Sequence, residues 1–374
     1  MLNTLTYAVR LHTTMQETQL LTDTCTAFLS CCNTVSDTAY QQRTISQKKL
    51  NKLTYHKLRE EYHVGAQMAQ SAIIRVIGNY RTIAELHGSS WHGKHPHYHT
   101  MGYDLVYNRD YSVLKDGRIS INTLQGRVKF TVDWSHMPQP YRHGKFGTAR
   151  ILQRNNKWLL LIPSTITISE PKQPQQIVGI DMGLRFLATA YDSDGHTTFF
   201  SGKEVSNKRA HYKTLRAQLQ KKGTRSARRK LQAIGKRENR WMRDINHQVS
   251  QALISQQAEP TLFVLENLTG IRQATQKVRK RDRYVQVSWA YYQLRTMIEY
   301  KAKQHGHTCI AIDPKYTSQT CPRCGMVCKT NRNKRMHEYR CANCSYQSND
   351  DRVAAMNIQR IGYMQLVESQ SDKL

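Results

Sequence analysis

Two Cys-x-x-Cys pairs near the C-terminus constrain the fold of this chain most strongly. Cys321 and Cys324 form the first pair, Cys341 and Cys344 form the second, and sixteen residues separate the two pairs. Each pair is typical of a knuckle that supplies two thiolates, and two knuckles complete a tetrahedral zinc site with four cysteine ligands. No coordination position stays open in such a site. The spacing therefore predicts a zinc ribbon at residues 314–346, with one structural zinc ion.

The other cysteines discussed below are not predicted to bind a metal ion. Cys328 and His337 lie between the two pairs, but the knuckle spacing disfavours both as substitute zinc ligands. Cys25, Cys31 and Cys32 fall on a segment with apolar residues at helical spacing, so they are expected to be small buried residues of a helix. The clustering of most cysteines around the predicted ribbon favours metal chemistry in a reducing compartment over a disulfide framework.

The chain carries a large excess of positive charge. Lys plus Arg number 56 against 27 Asp plus Glu, which gives a formal net charge of +29. Such an excess indicates a polyanionic partner, either nucleic acid or an acidic membrane surface. No run approaches the ~18 apolar residues of a membrane span, and the opening residues lack the layout of a signal peptide. The composition therefore favours nucleic acid as the partner and predicts a cytoplasmic protein.

The first half of the chain alternates between strand and helix patterns. A strand at residues 3–12 is followed by a Thr14–Glu17 capping box and by apolar residues at helical spacing. Strand patterns with turn residues return from about residue 105 to residue 170. We therefore expect a β-barrel-like (wedge) module formed by residues 1–15 and 87–172, with a helical bundle of residues 16–86 inserted into it. The segment "SEPKQPQQ" that follows is typical of a linker.

Three carboxylates occupy the ends of elements in the second half. Asp181 lies in the apolar strand that begins "QIVGI", Glu266 ends the apolar strand "TLFVLE", and Asp351 stands at the head of the final helix. A strand with one Asp followed by a hairpin at Asp194–Gly195 is typical of the start of an RNase H-like core. Each carboxylate has a structural alternative as a turn former or helix cap. The occurrence of all three carboxylates in this order favours a catalytic role over these structural roles.

Phosphodiester hydrolysis with two divalent ions requires carboxylates that converge from separate elements. Oxygen ligands suit Mg²⁺, with Mn²⁺ as an alternative. In this interpretation Asp181 bridges two Mg²⁺ ions, Glu266 holds one and Asp351 holds the other. Asp350 is adjacent to Asp351 and is the alternative choice for the third ligand.

Two basic segments accompany these carboxylates. Residues 208–254 form a long, strongly basic segment with a helical pattern and without proline, and few acidic residues balance its charge. Contact with the phosphates of a nucleic acid explains this positive charge better than a helix face exposed only to solvent does. A second basic patch, "KVRKRDR" at residues 277–283, is expected to form a mobile loop near the active site.

The order of these motifs resembles the TnpB family of insertion-sequence proteins, which is related to the type V CRISPR effector nucleases. The resemblance rests on "GIDMGLRFLATA", "LENLTGIR", "YTSQTCPRCG" and "RCANCSYQSNDDRVAAMNI", and it covers residues 175–360. The chain departs from the family at Val353, where Asn is usual, and at Ser345, where Gly is more common.

The resemblance implies a multidomain α+β protein whose RuvC/RNase H-like nuclease domain comprises residues 173–313 and 347–374, with the zinc ribbon inserted. It implies a transposon-encoded endonuclease guided by one RNA derived from the element's own end, with one protein bound per RNA. Such a nuclease cuts double-stranded target DNA beside a short adjacent motif. Guide pairing reads the target sequence, and the protein reads the short motif and the duplex shape.

Two other functions remain open at this point. A nuclease-inactive relative would repress transcription by guided DNA binding, although the three carboxylates argue against that. A DNA transposase would cut and join DNA without RNA, since an RNase H-like core serves that chemistry too. A stoichiometrically bound RNA would discriminate against the transposase.

Overall fold

The computed structural model describes residues 1–93, 95–267 and 291–371 of the chain. It divides into two compact units, Met1–Ile168 and Ser169–Leu374, each combining helices with sheets. The chain is therefore a multidomain protein of mixed α and β structure, as the sequence predicted. The basic patch at residues 277–283 lies outside the described residues. Among the residues that are described, no helix is both long enough and apolar enough to cross a membrane.

The first unit is built on a barrel-like sheet of eight strands. The strands are β1 Leu2–His12, β2 Gly102–Leu105, β3 Tyr111–Val113, β4 Ile119–Thr123, β5 Gly126–Asp133, β6 Lys145–Phe146, β7 Ala149–Arg154 and β8 Lys157–Thr167. Their order is β2-β7-β8-β1-β5-β4-β3, and β6 pairs with β8. The long antiparallel pairing of β1 with β8 joins the two ends of the unit. Strand alternation places Leu160 and Ile162 of β8 in the core.

Three helices separate β1 from β2 in the chain. They are α1 Met15–Gln41, α2 Gln47–Tyr62 and α3 Ala66–His87, and a short α4 Gln139–Arg142 follows β5. The predicted capping box is present, because Thr14 Oγ1 accepts from the Glu17 N–H and Glu17 accepts from the Thr14 N–H. The three cysteines of α1 are fully buried in the core that helices and sheet share. That confirms their prediction as core residues.

The second unit contains a five-stranded sheet. Its strands are β9 Gln176–Asp181, β10 Phe186–Tyr191, β11 Thr197–Ser201, β12 Thr261–Glu266 and β13 Thr308–Ile312. The order is β11-β10-β9-β12-β13. Strands β9, β12 and β13 run parallel, whereas β10 and β11 are antiparallel and form the hairpin expected around Asp194 and Gly195. The apolar run at β12 is buried along its whole length, as expected of a central strand.

The basic segment with the predicted helical pattern forms two helices. Helix α5 spans Lys203–Lys222 and helix α6 spans Arg225–Ser255. Gly223 has a φ of +63°, a left-handed conformation that ends α5, and Thr224 Oγ1 accepts from the Ala227 N–H and caps α6. Helix α7 spans Tyr291–Gln304 and helix α8 spans Asp350–Ser371.

The two faces of this sheet have different partners. Val178, Ile180 and Phe263 lie in the cluster formed with helices α6 and α7. Alternate residues on the same strands, such as Ile177 and Val264, lie in the cluster formed with α8. Because side chains alternate between faces, the residues at positions 181 and 266 share the α8 face.

Two glycines let α8 lie directly against the sheet. A Cβ atom on Gly179 of β9 would overlap the backbone O of Ala355 and the backbone N of Gln359 in α8. A Cβ atom on Gly362 of α8 would overlap the side chain of Val264 in β12. This close approach brings the beginning of α8 over the ends of β9 and β12.

Gly179→Ala is expected to destabilise the second unit by roughly 1–3 kcal/mol, because backbone atoms of α8 must move to admit the methyl group. Thermal or urea unfolding measures the change. Gly235→Ala is the matched control, since Gly235 lies within α6 with open space around it and alanine favours a helix by up to ~1 kcal/mol. Equal stability of the two variants would contradict the close packing of α8.

A small three-stranded sheet precedes α8. Its strands are β14 Arg332–Asn333, β15 Glu338–Arg340 and β16 Gln347–Asn349, in the order β14-β15-β16. A short 3₁₀ turn, Lys329–Asn331, leads into β14. From here on the ribbon means residues 314–349, which are the predicted zinc ribbon of residues 314–346 extended to the end of β16.

Candidate active site and cysteine cluster

Asp181 and Glu266 lie beside each other at the carboxyl ends of two parallel strands. The register pairs Leu265 of β12 with Ile180 of β9, and the two carboxylates follow that pair by one residue on each strand. Adjacent strands are ~4.8 Å apart, and both side chains belong to the face that α8 covers. The structure thus brings together two of the predicted site residues.

Asp351 reaches the same region from the first turn of α8. Asn349 caps this helix, because its Oδ1 accepts from the backbone N–H groups of Asp351 and Arg352 at 3.0 and 3.1 Å. The Asp351 side chain is therefore not needed as the helix cap, which was its structural alternative. Asp351 is 7% exposed and Asp350 is fully buried.

The pKa values of the carboxyl groups reflect their crowding. Burial raises the pKa of Asp181 well above its ordinary value, and the charges on Glu266 and Asp351 raise it further. Burial also raises the pKa of Glu266, and burial together with the charge of Asp350 raises the pKa of Asp351. Carboxylates crowded in this way resist ionising together unless cations accompany them.

Arg332 of the ribbon is a cation close to this group. Its Nε donates to Asp350 Oδ2 at 2.7 Å, and its guanidinium approaches Asp351 Oδ1 at 3.5 Å. Its charge lowers the pKa of Asp181, Glu266 and Asp351. The single positive charge of Arg332 does not balance the negative charges that the four carboxylates, Asp181, Glu266, Asp350 and Asp351, carry when ionised. The donor set of carboxylate oxygens therefore fits hard divalent cations.

Thr317 and Asn357 hold Glu266 in place. Thr317 Oγ1 donates to Glu266 Oε1 at 2.6 Å, and this hydrogen bond opposes the rise in the pKa of Glu266 that burial causes. Asn357 of α8 donates to the backbone O atoms of Thr317 and Thr320 at 2.7 and 2.8 Å. Helix α8, the ribbon and β12 are thus connected at one carboxylate.

Arg352 joins the hairpin to the ribbon next to Asp351. Its Nε donates to Thr197 Oγ1 at 2.9 Å, and its guanidinium lies 5.4 Å from the centre of the Tyr191 ring. It also donates to Ser348 Oγ of the ribbon at 3.3 Å. This residue stands beside the carboxylate in sequence and connects three elements around it.

Several of these residues had no predicted role. Thr317 lies within the motif "YTSQTCPRCG", in which only the cysteines indicate a function. Arg332 is one of several basic residues between the knuckles. Their partners are distant in sequence, and no local periodicity marks them. The capping residue Asn349 is the exception, since a polar residue directly before a helical pattern is a recognisable signal.

The four predicted zinc ligands form one cluster. The Sγ atoms of Cys321 and Cys344 are 3.6 Å apart, those of Cys324 and Cys341 are 3.5 Å apart, and the four ligand atoms lie within 4.8 Å of one another. Cys328 is not in this group and instead contacts Thr330. The cluster fits a zinc ribbon.

Both knuckles have the backbone geometry of a tight turn. The N–H of Gly325 donates to the O of Cys321, and the N–H of Ser345 donates to the O of Cys341. Gly325 has a φ of +76° and Ser345 a φ of +55°. The serine at the second knuckle therefore keeps the turn, in a left-handed conformation that a glycine adopts more easily. Hydrogen bonds, first from the backbone N–H of Met326 and then from the Asn343 side chain, lower the pKa of Cys324 to about 6, which favours a thiolate.

Two family models match the chain. Residues 160–269 match the model OrfB_IS605, described as a probable transposase. Residues 291–358 match the model described as Cas12f1-like, TNB domain. Together the two matches contain all seven residues predicted as metal ligands.

Individual proteins are also similar to this chain over more than half of its length. The CRISPR-associated endodeoxyribonuclease Cas12f1 of Syntrophomonas palmitatica is 29% identical over 223 residues, which are 55% of this chain and 43% of the relative. The TnpB-like protein MJ0751 of Methanocaldococcus jannaschii is 29% identical over 238 residues, which are 62% of this chain and 81% of the relative. The match thus spans less than half of the Cas12f1 relative.

The fold is also shared with a solved structure. The Cas12f1 chain in a complex with an sgRNA and target DNA aligns with a TM-score of 0.64, covering 92% of this chain and 82% of that chain at 15% identity. Similarity at this level establishes the fold. Family models, relatives and fold agree with the resemblance seen in the motifs: the chain is similar to TnpB-like proteins and to the Cas12f1 nucleases.

Proposed function

We propose that the protein is an RNA-guided DNA endonuclease of a transposable element, with a RuvC-like nuclease domain in its second unit. The observation that carries this proposal is the placement of three carboxylates, from β9, β12 and α8, on one face of a mixed sheet. Ligand sites in sheets with parallel strands commonly form at the carboxyl ends of those strands. The names of the relatives as endonucleases and TnpB-like proteins support the same function.

Asp181, Glu266 and Asp351 would hold two Mg²⁺ ions, which when bound supply an activated water and stabilise the leaving oxygen. The charges of both Glu266 and Asp351 act on Asp181, so Asp181 is the candidate for a ligand that both ions would share. Thr317 favours the ionised form of Glu266 by donating a hydrogen bond to it. Arg332 lies close enough to the carboxylates to approach a phosphate bound there.

Helices α5 and α6 would contact nucleic acid. Their exposed basic residues are Lys203, Lys221, Lys222, Arg225, Arg228, Arg229, Lys230, Lys236, Arg237, Arg240 and Arg243. So many cations on one helical pair suit the phosphates of a guide RNA or a target duplex. Zinc in the ribbon would be structural, because four cysteines leave no open coordination position.

A transposase that acts without RNA is the second candidate, and the description of the OrfB_IS605 model favours it. The two functions differ in their nucleic-acid partner. Sequencing the RNA that co-purifies with the protein, expressed from its own locus, tests this directly. We expect one discrete RNA, equimolar with the protein, whose 3′ end runs into flanking DNA. Random cellular RNA, or none, would contradict guided recognition and favour the transposase.

Thr317→Val is expected to move the acidic limb of the cleavage pH profile to higher pH. The variant loses the hydrogen bond that lowers the pKa of Glu266, so a larger fraction of Glu266 is protonated at a given pH. The rate loss is therefore largest at low pH and shrinks as the pH rises. Thr317→Ser keeps the hydroxyl and is the control. Superimposed profiles for the valine variant and the wild type would contradict this role.

A further inference from the structure

Three potential metal-ligand atoms converge where the ribbon meets the beginning of α8. His337 Nδ1 lies 3.4 Å from Asp350 Oδ1 and 4.0 Å from Asp351 Oδ2. One ligand atom from each of these residues lies within 4.8 Å of the other two. Ligand atoms that share a metal ion at ~2.1 Å have separations of this size. The ring comes from the ribbon, and the carboxylates come from α8.

Two of these atoms are buried without a hydrogen bond. Among the described residues, neither Asp350 Oδ1 nor His337 Nδ1 has a hydrogen-bond partner, although Asp350 is fully buried. Asp350 Oδ1 and His337 Nδ1 lie opposite each other, 3.4 Å apart. A buried polar atom normally has a partner, and a cation bound between these two atoms would supply one to both.

Arg332 holds the opposite side of the same carboxylates. It contacts Oδ2 of Asp350 and Oδ1 of Asp351, which leaves Asp350 Oδ1 and Asp351 Oδ2 directed toward His337. Groups that bind the outer oxygens of metal-ligating carboxylates typically orient them toward the metal. With a neutral imidazole, two carboxylates and one guanidinium leave one negative charge, and Asp181 and Glu266 add to it. The local charge therefore favours a cation.

We propose that His337 Nδ1, Asp350 Oδ1 and Asp351 Oδ2 form a binding site for a divalent transition-metal ion such as Mn²⁺. An imidazole nitrogen with two carboxylate oxygens suits such an ion better than it suits Mg²⁺, which prefers oxygen ligands alone. The site adds His337 and Asp350 to the ligand set and shares only Asp351 with the proposed nuclease site. It rests on the described side chains and does not require the proposed endonuclease activity.

Pulsed EPR of Mn²⁺ bound to the full-length, zinc-loaded protein tests the site. We expect a coupling from an imidazole ¹⁴N nucleus in the wild type. His337→Asn should abolish this coupling and weaken Mn²⁺ binding by at least about tenfold, as loss of metal-site groups commonly does. Asparagine suits this position because His337 has a φ of +58°.

Two control variants separate this site from others. His196→Asn removes the imidazole of an exposed Asp192–Asp194–His196 group on the β10–β11 hairpin and should leave the coupling unchanged. The double variant Asp181→Asn/Glu266→Gln should retain the coupling, although two proposed nuclease ligands are lost. Melting temperature and zinc content verify folding.

Several results would overturn the proposal. These are an absent ¹⁴N coupling in the wild type, a coupling that survives His337→Asn, and a coupling that only His196→Asn removes. Should His337→Asn fail to fold, Asp350→Asn replaces it as the test variant, and unchanged Mn²⁺ affinity in that variant contradicts the site. Absence of Mn²⁺ binding to the wild type would also overturn the proposal, and the 3.4 Å approach of His337 Nδ1 to Asp350 Oδ1 would then be a contact between the two side chains alone.

Discussion

Asp181→Asn is expected to abolish DNA cleavage while RNA and DNA binding stay at the wild-type level. The substitution removes one negative charge from the centre of the carboxylate group but keeps the shape of the side chain. Metal ions supply several kcal/mol of charge stabilisation to such reactions, so the loss should reach about 10³-fold or more. Cleavage of a labelled duplex by the purified RNA–protein complex measures it.

The same variant should be more stable than the wild type when Mg²⁺ is absent. The pKa of Asp181 is raised by folding, so the folded wild type binds its proton more tightly than the unfolded chain does. The stability of the wild type therefore falls as the pH rises through the folded pKa, and asparagine removes that dependence. The gain in melting temperature should be larger at pH 8 than at pH 5.

Asp313→Asn is the matched control for both measurements. Asp313 follows β13, a strand of the same sheet that pairs with β12, but its side chain is exposed. This variant should cleave DNA and unfold like the wild type. Wild-type cleavage by Asp181→Asn would refute the assignment of the site. A variant that loses cleavage because it is less stable at every pH would refute the electrostatic explanation.

Cys321→Ser is expected to remove the bound zinc and unfold the ribbon. Zinc binding contributes about 10–16 kcal/mol in small zinc-dependent folds, because the ligands come together only in the folded state. Cys321 is fully buried, so no group from solvent can easily take the place of its thiolate at the metal. Zinc content by mass spectrometry and protease digestion of residues 314–349 report the two effects.

Unfolding of the ribbon should also remove contacts that hold the carboxylates of the candidate active site. The ribbon contributes Thr317, which hydrogen-bonds Glu266, and Arg332, which contacts Asp350 and Asp351. Cleavage should therefore fall even where RNA remains bound. Cys328→Ser is the control, since Cys328 lies outside the four-cysteine cluster. A Cys321→Ser protein that keeps one zinc ion and cuts DNA normally would show that another group completes the site.

Local signals predicted much of this protein. The capping box at Thr14 and Glu17, the buried strand at 261–266 and the cysteine spacing each depend on residues a few positions apart. Interactions at that range are set by helix and strand geometry, so a sequence displays them directly. The break between α5 and α6 is also marked locally, because Gly223 ends one helix and Thr224 caps the next.

The arrangement of the site depended on tertiary structure. The sequence alone determined which carboxylates end their elements, and family motifs connected them. Only strand register placed Asp181 beside Glu266, and only the close packing of α8 at Gly179 brought Asp351 to them. Arg332 and Thr317 acquire their roles from partners 18 to 51 residues away in the chain. Such contacts form because sheets and helices pack in three dimensions, and no periodicity along the chain records them.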